Sequence, residues 1–153
     1  ADSSLPAPAS LRHYRGCLLG LACGDAAGTT VEFKPRGSFS PLTDMVGGGP
    51  FGLQPGEWTD DTSMALCLAT SLLHCRGFDA RDQMNRYCNW REVGYLSSNG
   101  RCFDIGMTVS AALSRYLSSG VPLAGSTEPQ APRRSRRRHP PAHPIRRAQA
   151  TGR

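Results

Sequence analysis

Two adjacent carboxylates flanked by threonine hydroxyls lie directly before an apolar stretch near the middle of this 153-residue chain. The segment TDDT occupies residues 59–62 and is followed by SMALCLATSLL at residues 63–73. An apolar run of this kind predicts a buried helix, with the Thr and Asp side chains of the TDDT segment at its N-terminus. Two interpretations of that group are open. Asp and Thr are common helix N-caps, and their oxygens are also the ligands that Mg²⁺ or Mn²⁺ selects.

Two other segments carry residues that are able to do chemistry. Glu32 stands before a loop rich in proline and glycine, where a carboxylate can assist an attacking water or can simply be a solvated loop acid. The segment GRCFDIG at residues 100–106 ends at a predicted helix N-terminus, and backbone N–H groups there suit a phosphate. Asp104 would oppose an anion unless its side chain points away or caps the helix.

These segments are positioned by helices, because no strand-like alternation of any length appears in the chain. The spacing of apolar residues predicts an all-α fold with helices at about 11–28, 59–75, 79–90 and 106–117. Gly77 and Gly120 are the expected stops of the second and fourth helices. Asp79 is the expected N-cap of the third, with Phe78 as a hydrophobic staple. The second helix is apolar nearly all round and is therefore expected to be central.

The first predicted helix carries glycines at a four-residue period. Gly16, Gly20, Gly24 and Gly28 fall on one helical face. Because each glycine costs a helix about 1 kcal/mol relative to alanine, a whole stripe of them needs a reason. We expect another element to pack closely against this face.

The charge of the chain is unevenly distributed. Residues 126–153 hold eight arginines and one acid, whereas the first 125 residues carry ten Lys or Arg and eleven Asp or Glu, a net charge of −1. The body therefore gives no reason to expect nucleic acid or a membrane as a partner. Six cysteines without CxxC spacing favour a reducing compartment, and neither a signal peptide nor a membrane-spanning run is evident. A cytoplasmic location is expected.

Composition divides the chain into three parts. Residues 1–10 resemble a loose leader, residues 11–125 form the body, and residues 126–153 are an Arg/Pro-rich tail expected to be disordered. Two hypotheses account for the tail. The abrupt change after about Gly125 suggests a shifted reading frame, and the run RRSRRR could alternatively neutralise nucleic-acid phosphates.

The order of four segments resembles the ADP-ribosylglycohydrolase family over about residues 11–125, the N-terminal part of that domain. The segments are GCLLGLACGDAAG from residue 16, VEF from residue 31, GGGPFGLQPGEWTDDTSMALCLATSLL from residue 47 and GYLSSNGRCFDIG from residue 94. The resemblance implies a partial all-α bundle of the ADP-ribosylglycohydrolase type. It also implies a site for two Mg²⁺ or Mn²⁺ ions and hydrolysis of the bond joining ADP-ribose to an acceptor such as a protein arginine or serine. The implied partner is an ADP-ribosylated protein or a small ADP-ribose conjugate.

The resemblance also implies roles for individual residues. Thr59, Asp60 and Asp61 match the first metal-ligand motif, and Glu32 matches the acidic residue near the scissile bond. The implied substrate-binding segment, which cradles the pyrophosphate, consists of Cys102, Phe103, Asp104, Ile105 and Gly106.

Two further motifs of the family do not occur in the 153 residues. One is the Gly-Asn-Gly-Ser segment of the ribose pocket, and the other is an Asp-x-Asp-Thr motif that supplies the remaining metal ligands. The chain is therefore expected to carry half of a metal site, with much of the second helix's apolar surface exposed. The alternatives to an active hydrolase are a truncated inactive remnant and a non-catalytic binder of ADP-ribose.

Overall fold

A computed structural model describes residues 10–123 as four α-helices joined by loops. They are α1 (Leu11–Gly28), α2 (Asp60–Cys75), α3 (Ala80–Val93) and α4 (Met107–Ser119), with one 3₁₀ turn at Thr29–Val31 directly after α1. Within this range the only β-type pairing is a single antiparallel bridge between Gly48 and Leu53. The all-α prediction is confirmed. The predicted leader, apart from Ser10, and the predicted tail lie outside the described residues and stay predictions.

The helix ends follow the local signals in the sequence. The Asp79 side chain caps α3 by accepting hydrogen bonds from the backbone N–H groups of Arg81 and Asp82, both at 2.9 Å. The helix runs to Val93, three residues beyond the predicted end, because Gly94 is the first residue to adopt a left-handed conformation, with φ of 68°. At the end of α2, Arg76 rather than Gly77 takes this conformation.

The hydrophobic core lies among α2, α3 and α4. Its buried members are Cys67, Tyr87, Cys88, Trp90, Leu113 and Tyr116. Side chains from the loop between α3 and α4, including Cys102 and Ile105, pack against this cluster. All six cysteines are free, and burial raises the pKa of the Cys67 thiol to about 11. Cys67 therefore behaves as a small hydrophobic residue, as free cysteines in cores do.

Hydrogen bonds between side chains tie α3 to α4 and hold α3 together. The Tyr116 hydroxyl donates to Asn85 Oδ1 at 2.7 Å, and Arg91 Nη1 donates to Ser114 Oγ at 3.1 Å. Within α3, Arg86 and Asp82 form a charged pair one turn apart. The first two contacts therefore fix α4 against α3.

Helix α1 packs less closely than the glycine pattern predicts. A Cβ atom added at Gly16, Gly20, Gly24 or Gly28 would meet nothing within 4 Å, so the expected close packing against this stripe is wrong for the part of the chain described. Ala26 is the only buried residue of α1. The predicted exposure of apolar surface therefore falls mainly on α1, whereas α2 exposes large apolar side chains only at Leu72 and Leu73.

One smaller expectation also differs from the structure. Phe78 is 67% exposed, so the expected hydrophobic staple at the start of α3 is wrong.

None of the helices within residues 10–123 is both long and apolar enough to cross a bilayer.

Replacing Leu113 by alanine is expected to destabilise the chain by about 2–5 kcal/mol, because this side chain is 1% exposed and its loss leaves a cavity. Leu117, on the same helix and 55% exposed, is the matched control, for which a loss below about 0.5 kcal/mol is expected. Urea unfolding followed by circular dichroism measures both. Equal losses in the two variants would contradict the placement of the core.

Candidate active site

An acidic cleft of about 450 Å³ lies between the C-terminal half of α1 and the start of α2. One wall is the glycine face of α1 and the opposite wall is the first turn of α2. Asp104, from the loop before α4, also lines the cleft. Five carboxylates line the cleft, contributed by Asp25, Glu32, Asp60, Asp61 and Asp104.

Asp25 of α1 joins the two walls. Its Oδ1 accepts hydrogen bonds from the Thr59 hydroxyl at 2.7 Å and from the Thr59 N–H at 3.0 Å. Its Oδ2 accepts from the Thr62 hydroxyl at 2.7 Å and from the Thr62 N–H at 3.1 Å. Thr59 and Thr62 are both buried. A carboxylate 34 residues upstream of Thr59 thus satisfies backbone donors at the start of α2.

This contact revises the capping interpretation of the sequence. Thr59 occupies the N-cap position of α2, but its side chain makes no capping hydrogen bond to the helix. Asp25 performs that task instead. Asp60 and Asp61, in the first turn of α2, both line the cleft, and the Asp60 carboxylate also accepts backbone hydrogen bonds from Asp60 and Asp61.

The carboxylates of the cleft raise one another's pKa. Burial and the negative charges of Asp104 and Asp61 raise the pKa of Asp60 to about 6. Burial and the charge of Glu32, followed by smaller contributions from other acids, raise the pKa of Asp104 to about 6. The pKa of Glu32 is raised too, first by burial and then by neighbouring carboxylates, of which Asp60 contributes most. Such crowding of like charges is unfavourable unless protons or a cation neutralise it.

The metal-free chain is expected to lose stability between about pH 4 and pH 7. Asp60 and Asp104 have a folded-state pKa of about 6 against an ordinary value of 3.8. The folded chain therefore retains protons that the unfolded chain has released. The resulting stabilisation is complete below about pH 4 and is lost as the pH rises through about 6.

Urea unfolding in EDTA across this pH range measures the effect. The double variant D60N/D104N should have a flatter stability profile, since neither amide titrates. A double variant that retains the slope of the natural chain would show that other groups cause it.

The loop before α4 presents its side chains in several directions. Cys102 and Ile105 pack against the core, and the Phe103 ring lies 5.6 Å from that of Phe51. Asp104 faces the cleft and does not cap α4, whose N-cap is Gly106. Within residues 102–106, only the backbone is thus suited to an anion, and the predicted pyrophosphate role stays a prediction.

Three aromatic rings connect the loop that carries Glu32 with the loop that carries Asp104. Phe51 lies between Phe33, at 6.5 Å, and Phe103, at 5.6 Å between ring centroids. Phe33 and Asp104 both have left-handed backbones, with φ of 61° and 55°. Non-glycine residues in this conformation are strained and cluster at functional sites. Through these ring contacts, the loop that carries Glu32 and the loop that carries Asp104 pack together.

Comparison with known proteins identifies the family. The sequence model of the ADP-ribosylglycohydrolase family matches residues 6–148. The chain belongs to this family. The resemblance found in the sequence motifs is thereby confirmed, and the relatives named below are ADP-ribosyl hydrolases.

Similar ADP-ribosylglycohydrolases come from several bacteria. The chain is 53% identical over 126 residues to the ADP-ribosylarginine hydrolase Tri1 of Serratia proteamaculans, covering 82% of this chain and 34% of that protein. It is 36% identical over 117 residues to the ADP-ribosyl-[dinitrogen reductase] glycohydrolase of Rhodospirillum rubrum, covering 74% of this chain and 37% of that protein. The chain thus spans about a third of the length of the curated relatives that it matches.

A solved structure has a similar fold. It is described as an ADP-ribosylglycohydrolase-related protein complex, and it aligns with a TM-score of 0.59 at 50% sequence identity. The alignment covers 72% of this chain and 35% of the solved chain. The helical arrangement around the cleft is therefore that of an ADP-ribosylglycohydrolase.

The fold brings most of the predicted site residues to one cleft. Glu32, Thr59, Asp60, Asp61 and Asp104 all line it. Within residues 10–123, however, no three His, Cys, Asp or Glu side chains are arranged to hold a metal ion. The donors are nevertheless oxygens, which suit Mg²⁺ or Mn²⁺, and their mutual repulsion favours a cation. The residues fit one face of a metal site rather than a complete one.

Sequence reasoning missed Asp25 as a residue that organises the site. It was recognised only as part of the segment GCLLGLACGDAAG. The available signal was an aspartate in an otherwise uncharged part of a helix, where an unpaired charge would be costly to bury.

Proposed function

We propose that this chain contributes to the metal-dependent hydrolysis of the bond between ADP-ribose and an acceptor, with Mg²⁺ or Mn²⁺ held beside the first turn of α2. The observation that supports this most is that Glu32, Asp60, Asp61 and Asp104 line one cleft, where burial and then the neighbouring carboxylates raise the pKa of Asp60, Asp104 and Glu32. An arginine side chain is the acceptor favoured by the name of the Serratia proteamaculans relative. The partner would be an ADP-ribosylated protein or a small ADP-ribose conjugate in the cytoplasm.

Thr59, Asp60 and Asp61 would hold the metal, and the resemblance to the family implies two ions with further ligands from an Asp-x-Asp-Thr motif. When bound, a divalent ion supplies Lewis-acid polarisation of the ribose oxygens. Thr59 and Asp60 are held in place because Asp25 anchors the start of α2 to α1.

Glu32 is suited to proton transfer at the anomeric carbon. Its carboxylate lines the same cleft as Asp60 and Asp61, and its raised pKa moves it towards neutral pH, where a general base is most effective. It would accept a proton from the water that attacks C1″ of the ribose. The backbone of residues 102–106 would contact the pyrophosphate.

Release of ADP-ribose from an ADP-ribosylated arginine peptide tests this function. The complete 153-residue chain is incubated with the peptide in Mn²⁺ or in EDTA, and free ADP-ribose is quantified by chromatography. Release in Mn²⁺ that EDTA abolishes is the expected result, and a serine-linked peptide tests the acceptor.

Two results would overturn the proposal in different ways. Absence of both release and Mn²⁺ binding would make the chain an inactive remnant. Absence of release with ADP-ribose affinity that EDTA leaves unchanged would make it a non-catalytic binder.

A further inference from the structure

We propose that Asp25 is a positioning residue that turns the N-terminus of α2 into a surface able to hold a cation. It does so by fixing the orientation of the Thr59 hydroxyl and by occupying backbone N–H groups that would otherwise repel a positive ion. The inference rests on the proposed function in one respect only, namely that Thr59 is a metal ligand.

The Thr59 hydroxyl has a single proton to donate. An ionised carboxylate can only accept hydrogen bonds, so the hydroxyl must donate to Asp25 Oδ1, 2.7 Å away. The distance to the alternative acceptor, Asp60 Oδ1, is 3.4 Å. With its proton directed to Asp25, the Thr59 oxygen keeps its lone pairs for another partner, and Thr59 lines the cleft.

The start of a helix is electrostatically unfavourable for a cation. The free N–H groups at a helix N-terminus carry partial positive charge, which attracts anions and opposes cations. In α2, the N–H groups of Thr59 and Thr62 both donate to Asp25, at 3.0 Å and 3.1 Å. The Asp25 carboxylate therefore lies behind this helix end, on the side of α1. The N–H groups of Thr59 and Thr62 do not need Asp60 or Asp61, and both of these acids line the cleft, where the Asp60 carboxylate also accepts backbone hydrogen bonds from Asp60 and Asp61.

A neutral side chain at position 25 would not serve equally well as a cap. Ser or Asn would satisfy one or two of the N–H groups, but an amide also carries N–H donors. An Asn at position 25 that turned its NH₂ group towards Thr59 would make the threonine oxygen accept a hydrogen bond, which removes a lone pair from the cleft. The carboxylate of Asp25 alone makes both hydroxyls donate.

The first measurement uses the complete chain in EDTA and needs no metal. Three-bond NMR couplings from the backbone to Cγ2 of Thr59 report its χ1 rotamer, and we expect one fixed rotamer in the natural chain. Asp25→Asn should average the rotamer. Thr62→Ala removes only the Thr62 hydroxyl bond to Oδ2 and leaves the Thr59 contacts, so this matched control should keep it fixed.

The second measurement follows free Mn²⁺ by electron paramagnetic resonance. Asp25→Asn should weaken Mn²⁺ binding by about 10- to 100-fold, the range typical for groups that orient a metal ligand. Thr62→Ala, which also weakens the helix start, should stay within about twofold of the natural chain. A purely structural role of Asp25 would affect both variants in proportion to their loss of stability.

The outcomes separate this inference from the proposed function. An averaged Thr59 rotamer in the natural chain, an unchanged rotamer in Asp25→Asn, or equal losses of Mn²⁺ affinity in the two variants would overturn it. If the natural chain bound no Mn²⁺, the proposed function would fail, and the rotamers would still decide whether Asp25 orients Thr59. If Asp25→Asn did not fold, the Thr59 rotamer would be measured in the natural chain and in Thr62→Ala. A fixed rotamer in both would support the inference, and an averaged rotamer in either would overturn it.

Discussion

Replacing Asp60 by Asn is expected to weaken Mn²⁺ binding by at least about 100-fold, more than the loss typical for a group that only orients a ligand. Asp60 lies in the first turn of α2 beside Thr59 and Asp61, and it lines the acidic cleft. Asn has nearly the same shape but carries no charge. The variant therefore removes a ligand charge without creating a cavity.

The same substitution should stabilise the metal-free chain. A shift of the Asp60 pKa from 3.8 to about 6 would correspond to about 3 kcal/mol if it were unscreened. Because the cleft is open to solvent, a gain of about 1 kcal/mol at pH 7.5 is a more realistic expectation. Opposite signs for stability in EDTA and affinity for Mn²⁺ are the signature of a cation site.

Asp44→Asn is the matched control, since Asp44 is an exposed acid in the loop between α1 and α2. Asp44→Asn should change neither the stability of the metal-free chain nor its affinity for Mn²⁺. Titration of Mn²⁺ by electron paramagnetic resonance and urea unfolding in EDTA give the two values. A metal-free Asp60→Asn chain that is less stable than the natural one would contradict the crowding of charge in the cleft.

Replacing Glu32 by Gln should lower the rate of ADP-ribose release by about 100- to 10,000-fold, the usual contribution of a general base. Gln keeps the size of the side chain but cannot accept the proton of the attacking water. Because Glu32 is on the loop after α1 and not in the first turn of α2, loss of its charge should weaken Mn²⁺ binding by less than about tenfold, well below the loss expected for Asp60→Asn. Single-turnover release from an ADP-ribosylated arginine peptide measures the rate.

Glu57→Gln is the control for this prediction. Glu57 accepts a hydrogen bond from the Gln54 N–H within the same long loop, and a Gln oxygen can accept it equally well. Its rate should match that of the natural chain. Parallel losses of rate and Mn²⁺ affinity in Glu32→Gln would make Glu32 a metal ligand rather than a base.

The helices could be predicted from the sequence because their determinants are local. The apolar run after Thr59 predicts α2, and the observed helix starts one residue later. Asp79 and Gly94 bound α3 through hydrogen bonds to residues within five positions. Such short-range contacts depend on residue type and spacing alone.

The cleft could be predicted only in part because its remaining features depend on contacts between distant residues. Asp25 reaches Thr59 and Thr62, 34 and 37 positions away, and no local pattern marks that pairing. Asp104 was assigned to a phosphate loop by its neighbours in sequence, whereas the fold places its carboxylate among the acids of the cleft. Its direction follows from a left-handed backbone that aspartate adopts only occasionally.

The glycine face of α1 has a consequence for how this cleft can change during evolution. Gly20 and Gly24 line the cleft, and a methyl group at either position would meet no atom of the described chain. Alanine there would strengthen the helix by about 1 kcal/mol per position. The fold alone therefore gives selection no reason to keep glycine. A side chain at either position would reduce the space beside the carboxylates. Gly20 and Gly24 therefore set an upper limit on the size of the molecule that the cleft can bind.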